Sequence, residues 1–82
     1  MLKELRSKGK VTGIKQSGRA IRSGQARHVF LARDADPALT APLLALCREK
    51  GIPVSTDYDM SQLGQAAGIQ VGASVVAALE EI

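Results

Sequence analysis

The chain has 82 residues, of which 45% are apolar and 23% are charged, as in an ordinary folded domain. A chain this short buries about 60% of the surface that its unfolded form exposes, so we expect a single domain over residues 1–82 with no deep substrate cavity. Its longest apolar run is far shorter than a membrane span, its charged N-terminus lacks a signal region, and its one cysteine excludes an internal disulfide, which together predict a soluble cytoplasmic protein.

The charges are distributed unevenly along the chain. Residues 1–33 contain nine lysines and arginines and one acid, whereas residues 34–82 contain two basic residues and seven acids. The net charge of +3 therefore hides a basic segment of +8 and an acidic segment of −5. A positive field on one side of a small domain attracts polyanions, so nucleic acid is the first candidate partner. A merely solvated basic face is the other interpretation.

The first elements are short. Leu2 and Leu5, spaced i, i+3, predict an N-terminal helix, and the stretch "KVTG" predicts a brief strand. A helix over about residues 16–23 follows, and Gly24 is suited to end it because glycine adopts the left-handed conformation at little cost. The apolar run "HVFLA", residues 28–32, predicts a strand that is buried on both faces.

A longer helix follows this strand. Asp36 and Pro37 predict its start, because the carboxylate can accept the unpaired amides of the first turn and proline needs no N–H there. We expect it to end at Lys50, with Gly51 as its cap. Its predicted core stripe consists of Leu39, Leu43, Leu46 and Cys47.

The remaining segments complete an alternation of strands and helices. "IPVST" predicts a third strand, and "YDMSQLGQAAG" predicts a helix with Asp59 and Gln62 spaced as a capping box and Tyr58 and Leu63 spaced as a hydrophobic staple. The run from 73 to 79 lacks polar alternation and predicts a central strand. We therefore predict an α/β protein, a three-layer α/β/α sandwich with a mixed, roughly four-stranded central sheet.

Residues with catalytic or metal-binding chemistry do not form a complete set. Asp34 and Asp36 form a D-x-D pair, but beside a helix-starting proline capping is the commoner role. His28 and Cys47 have no third group to orient them, and no glycine spacing matches a nucleotide-phosphate loop. We predict a non-catalytic protein without a metal or another cofactor.

The residue types also narrow the kind of nucleic acid. Phe30 and Tyr58 are the aromatic residues, and Phe30 lies in a predicted core strand, which argues against recognition by base stacking. The short basic helix suits a folded RNA with an opened groove or a flipped base. Lys15 and Arg19 could donate to guanine or phosphate, and Gln16 could read a base edge.

Four segments resemble a known family. They are G-I-K-Q-x-x-R-A (13–20), G-Q-A-R-x-V-x-x-A-R-D-A-D-P (24–37), L-G-Q-A-A-G-I (63–69) and V-G-A-S-V-V-A (71–77). The chain resembles the kink-turn-binding ribosomal proteins of the archaeal L7Ae/L30e group, and most of all their short bacterial members of the YbxF type. The resemblance implies an α/β/α sandwich that binds a kink-turn, which is an RNA helix–bulge–helix with tandem sheared G·A pairs, and stabilises its bend. We expect a monomer that is associated with the ribosome or with another structured RNA.

The resemblance also implies which residues contact RNA. The backbone and groove contacts of the G·A pairs fall on Gly13, Ile14, Lys15, Gln16 and Arg19. The contact to an extruded bulge nucleotide falls on Asp36. The loop that packs around the bulge falls on Ile69, Gln70, Val71, Gly72 and Ala73.

Some positions depart from the family pattern. Lys15-Gln16 stand where archaeal members have Asn-Glu, Gly72 stands where they have Pro, and Met60 stands where other members have a basic RNA contact.

Two functions stay open at this point, a kink-turn-binding protein and a protein-interaction or ribosome-associated scaffold with the same fold. Ribosomal RNA, a riboswitch and RNase P RNA are all candidate targets.

Overall fold

Helices and strands alternate along the whole chain. A computed structural model describes residues 1–82, and none of its helices is long and apolar enough to cross a membrane. The elements are α1 (Leu2–Ser7), β1 (Lys10–Thr12), α2 (Ile14–Arg22), β2 (His28–Leu31), α3 (Pro37–Lys50), β3 (Val54–Ser55), α4 (Met60–Ala67) and β4 (Val75–Ala78).

The four strands form one mixed sheet in the order β1-β4-β2-β3. β4 is antiparallel to both of its neighbours, with Val76 opposite Thr12 and Val75 opposite Leu31, whereas β2 and β3 are parallel. All four residues of β4 are buried, which confirms the predicted central strand. The antiparallel position of β4 brings the loop before it to the end of the sheet where β1 and β2 finish.

Two apolar clusters cover the two faces of the sheet. Phe30 of β2 packs with Leu5 of α1 and Leu63 of α4, whereas its neighbour Val29 packs on the other face with Ile21 of α2 and residues of α3. This alternation follows from the period of two in a strand. Burying each large side chain contributes roughly 1.5–3 kcal/mol. The three-layer sandwich with a mixed sheet is confirmed.

The predicted helix caps are present. Asp36 accepts a hydrogen bond from the Ala38 N–H at 3.0 Å, and Gly51 ends α3 in the left-handed conformation. Asp59 and Gln62 form the capping box of α4, each accepting a backbone N–H from the other residue. These caps fix both ends of α3 and the beginning of α4.

Three details of the sequence prediction were wrong. Leu39 is 47% exposed and belongs to neither core cluster, because α3 packs on the core through Leu43 and Cys47. α2 begins at Ile14 instead of 16, because Gly13 adopts a φ of 98° and turns β1 directly into the helix. The third strand is limited to Val54–Ser55, since it pairs with β2 alone at the edge of the sheet.

Candidate nucleic-acid interface

Three separate segments meet at one end of the sheet. The Gly13 N–H donates to the Val75 carbonyl at 2.9 Å, which ties the start of α2 to the start of β4. The Ala32 N–H donates to the Ser74 carbonyl at 2.9 Å, which ties the end of β2 to the same place. The start of α2, the turn after β2 and the loop before β4 are therefore neighbours, although about 60 residues separate them in the chain.

The start of α2 presents unpaired backbone amides. Gly13 has no side chain to cap the helix, and the first intrahelical bond runs from the Ser17 N–H to the Gly13 carbonyl at 3.0 Å. The amides of Ile14, Lys15 and Gln16 precede that bond and have no helical partner. Together with the helix dipole they favour an anion at this point.

The exposed side chains of α2 add uncompensated positive charge. Lys15, Gln16, Arg19 and Arg22 are exposed, and none of the three cations has a carboxylate within ion-pair distance. The two ion pairs of the chain, Arg33 with Asp59 and the N-terminal ammonium with Glu4, lie elsewhere. Ile14 is half-buried and packs on the core, so its side chain anchors the helix.

The loop from 69 to 73 is held against α4 by backbone contacts. The Ile69 N–H donates to the Gly64 carbonyl and the Ala73 N–H to the Met60 carbonyl, each at 3.0 Å. A Cβ at Gly64 would lie 2.2 Å from the Val71 carbonyl oxygen, and one at Gly72 would lie 3.0 Å from the Met60 Cβ. The glycines therefore permit an approach that larger residues would prevent.

The side chains of this loop divide into outward and inward sets. Val71 is 72% exposed and Ile69 is 38% exposed, while Gln70 and Gly72 are also exposed. Ala73 is only 4% exposed, because its methyl group packs into the core cluster of α4. Of the five predicted contact residues in the loop, Ala73 therefore presents no side chain to a ligand.

The two aspartates of the D-x-D pair each cap a helix. Asp36 is exposed at the start of α3, and Asp34 accepts the N–H of Met60, the first residue of α4, at 2.8 Å. Asp34 thereby connects the turn after β2 to the helix that supports the loop. Capping is the role that the sequence favoured for this pair.

A cleft of about 330 Å³ lies between α4 and the loop. Sequence reasoning assigned no RNA contact to three of its polar residues, Asp34, Ser61 and Gln65. The i, i+4 spacing of Ser61 and Gln65 places them on one face of α4, but the sequence did not show that the loop folds over that face. The residues that line the cleft are Asp34, Met60, Ser61, Gln65, Ile69, Gln70, Val71 and Gly72.

His28 and Cys47 lie away from this end of the sheet. His28 pairs with Ala78 at the opposite end and its Nε2 is 2.8 Å from the Ser55 Oγ. Partial burial lowers the pKa of His28, and burial raises the pKa of the Cys47 thiol, so each shift favours the neutral form. Phe30 is fully buried, so it offers no stacking surface.

The fold is an α/β/α sandwich, and one end of its sheet places a basic helix start beside an exposed aliphatic loop. The family model of the ribosomal protein L7Ae/L30e/S12e/Gadd45 family matches residues 1–81, and the chain belongs to this family. The resemblance noted in the sequence is thereby confirmed.

Several relatives share most of their length with the chain. It is 42% identical over 67 residues to an "RNA-binding protein" of Bacillus pumilus, with 82% of each chain covered. It is 42% identical over 69 residues to "RNA-binding protein YbxF" of Geobacillus stearothermophilus, with 84% of each covered. Both relatives are named for RNA binding and for no reaction, in agreement with the prediction of a non-catalytic protein.

Solved structures give the same picture of the fold. The "15.5kD RNA binding protein" of Giardia lamblia superimposes with a TM-score of 0.86 at 26% identity, covering 98% of this chain and 68% of that one. A Bacillus halodurans protein of unknown function superimposes with a TM-score of 0.82 at 29% identity, covering 93% and 76%.

Proposed function

We propose that this RNA-binding protein recognises kink-turns in structured RNA and stabilises their bent form. The observation that carries the proposal is the meeting of the acid-free start of α2 with the exposed aliphatic loop at one end of the sheet. A bent RNA with an opened groove and an unstacked nucleotide needs both surfaces at once.

The start of α2 supplies the groove and backbone contacts. An added Cβ at Gly13 would meet nothing within 4 Å, so an RNA backbone has room to come close to this residue. The free amides of the first turn favour a phosphate. Lys15 and Arg19 supply donors for guanine O6 and N7 or for phosphate, and Gln16 supplies both a donor and an acceptor.

The loop supplies an apolar surface for the extruded nucleotide. Ile69 and Val71 are two of the five large hydrophobic residues exposed in the protein, and both lie on this loop. Covering them with a base removes apolar area from water at about 25 cal/mol per Å². Asp36, at the start of α3 after β2, supplies a carboxylate to the same nucleotide, as the family resemblance implies.

Binding stabilises the bend only if the protein has a higher affinity for the bent RNA than for the extended RNA. The contacts described above require the opened groove and the flipped base together, and an extended duplex offers neither. Ribosomal RNA, riboswitches and other non-coding RNAs containing kink-turns are the proposed targets in the cell.

The test is a fluorescence bending assay and a gel shift with a kink-turn RNA and a control RNA whose G·A pairs are replaced by Watson–Crick pairs. We expect bending and binding at least about tenfold tighter with the kink-turn, equivalent to about 1.4 kcal/mol. Equal affinity for the two RNAs would indicate nonspecific binding of RNA to a basic surface and would contradict the proposal.

Charge reversal locates the interface and separates the proposal from a scaffold function. The double change Lys15→Glu and Arg19→Glu should abolish kink-turn binding. The matched control, Lys3→Glu with Arg6→Glu, changes the net charge equally on α1, which packs on the opposite face of the sheet. A protein-interaction scaffold would keep its cellular partners after the change in α2, whereas an RNA-dependent association would be lost.

A further inference from the structure

The outer edge of β3 carries backbone groups that the sheet leaves unpaired. β3 is the last strand in the sheet order and pairs with β2 alone. Val54 lies opposite Val29, whose N–H donates to the Pro53 carbonyl at 3.0 Å. In a parallel ladder the bonds of Val29 go to the residues on either side of Val54. The N–H and carbonyl of Val54 itself therefore point away from β2, as at an open sheet edge.

A largely apolar groove lies beside this edge, between α3 and β3. Its volume is about 440 Å³, and it is lined by Leu44, Arg48, Ile52, Val54 and Thr56. The three apolar residues are half-buried, whereas Arg48 and Thr56 are exposed. Alternate side chains of a strand added at the edge would face the groove. Such a strand would pair with Val54 and cover the apolar wall at the same time.

The charged residues around the groove are mainly cations. Arg48 makes no ion pair, and no carboxylate lines the groove. Ile52 also lines the neighbouring depression that contains Arg27 and Lys50, two further exposed cations, with Glu81 as its one acid. Pairing of two copies along β3 would bring these cations together and is disfavoured, whereas an acidic segment is attracted.

We propose that the outer edge of β3 docks an extended, acidic segment of a partner protein. The segment adds a strand to the sheet, places an apolar side chain in the groove and directs carboxylates towards Arg48 and its neighbouring cations. A protein segment fits this surface better than RNA does. RNA would engage the cations, but it has no alternating apolar side chains to fill the groove.

This surface is separate from the proposed RNA interface. α2 packs over β1 and β4, whereas β3 is the edge strand beyond β2. None of the residues that line the groove is among the proposed RNA contacts. The inference therefore goes beyond kink-turn recognition and does not depend on it.

The experiment begins with peptides selected from a random phage-displayed library on the folded protein without RNA. We expect the enriched peptides to alternate apolar and acidic residues. A synthesised peptide of this kind is then added to isotope-labelled protein, and deuterium exchange of the Val54 amide is followed by NMR. At a peptide concentration about tenfold above Kd, exchange of this amide should slow about tenfold, because the bound strand accepts its hydrogen bond.

Charge reversal tests the contribution of the cations. Arg48→Glu should weaken peptide binding by about tenfold, because attraction becomes repulsion. The matched control is Arg6→Glu, which changes the net charge equally on α1, where the exposed Arg6 lies on the other face of the sheet. The control should bind the peptide as the parent does, since a distant exposed charge is screened by salt.

The proposal is overturned if no enriched peptide protects the Val54 amide, or if Arg48→Glu and Arg6→Glu bind the peptide equally. Protection that rises with protein concentration in the absence of peptide would assign the edge to a second copy of the chain instead. Protection by kink-turn RNA alone would assign it to RNA. Each of these results leaves the proposed function intact, because that function is tested by the comparison of a kink-turn with its Watson–Crick control.

Discussion

Gly64 and Gly18 are both interior residues of helices, but their surroundings predict opposite effects of an added methyl group. At Gly64 the new Cβ would lie 2.2 Å from the Val71 carbonyl oxygen, a backbone atom that moves only with the loop. At Gly18 it would lie 3.3 Å from the Arg22 Nη1, at the end of a flexible side chain, and 3.5 Å from the Leu43 Cδ2. Only the second site accommodates alanine at small cost.

We therefore expect Gly64→Ala to lower the free energy of unfolding and Gly18→Ala to raise it. We expect the overpacking at Gly64, about 1–3 kcal/mol, to exceed the gain of up to about 1 kcal/mol in helix propensity. At Gly18 a gain of about 0.5–1 kcal/mol remains. Urea denaturation of the two variants measures both effects. Stability of Gly64→Ala at or above that of the parent would show that the loop is not held as described.

His28 gives the folded protein a dependence on pH. Because partial burial lowers its pKa in the folded state, the unfolded chain binds a proton more readily, and stability rises with pH in this range. The contribution of neutral His28 to the free energy of unfolding should therefore be complete above the ordinary histidine pKa of about 6.5. It should decrease as the pH falls below that value. Urea midpoints at pH 7.5 and 5.5 measure the loss, and His28→Gln should reduce the difference between them. An undiminished difference in the variant would assign the effect to other groups.

At the scale of elements, α3 depends on its N-terminal cap. Asp36→Ala removes the acceptor of the Ala38 N–H and should cost about 1 kcal/mol, whereas Asp36→Ser keeps an oxygen there and should stay within a few tenths of the parent. Thermal unfolding of the two variants distinguishes these values. An equal loss in both would mean that the carboxylate charge, and not the cap, stabilises the helix. A fall in RNA affinity in the serine variant would then report a direct contact of the carboxylate.

Most elements could be predicted because their signals are local. The caps at Asp36, Asp59 and Gly51 depend on residues a few positions away, and the apolar strand β4 needs no polar alternation. Leu39 was placed wrongly on the buried stripe because the periodicity of a helix does not show which of its turns pack on the core. The length of β3 could not be predicted from the sequence either, since it depends on pairing with β2 and not on its own residues.

The candidate site was predictable only in part, because some of its contacts join residues that are far apart in the sequence. Lys15, Gln16 and Arg19 were identified from charge and spacing on one short helix, and they are exposed as expected. The cleft combines Asp34 with Gln65 and Gln70, which come from three segments that long-range backbone bonds bring together. The inward position of Ala73 likewise follows from the bond of its N–H to the Met60 carbonyl, which no local pattern encodes.

For the whole molecule, the basic residues differ in how closely the fold brings an acidic residue to them. α3 begins at the end of the sheet where α2 starts and runs back, so Lys50 lies at the opposite end with Arg27, whose N–H donates to the Ala78 carbonyl. Glu81 lines the same depression as these two cations and offsets part of their charge. Lys15 and Arg19 of α2 have no carboxylate within ion-pair distance, although Asp34 and Asp36 lie at the same end of the sheet. We therefore expect the attraction for a polyanion to come from the unpaired cations of α2 and not from that whole end of the sheet.

Two lysine substitutions test this spatial asymmetry. Lys15→Gln and Lys50→Gln remove the same charge, one at the start of α2 and one at the end of α3. RNA affinity plotted against salt on logarithmic axes falls with a slope that reflects the phosphate contacts, and losing one contact reduces the slope by about one. We expect that reduction, with weaker binding at low salt, in Lys15→Gln alone. Equal slopes in the two variants would mean that RNA affinity depends on the net charge of the molecule and that Lys15 makes no specific phosphate contact.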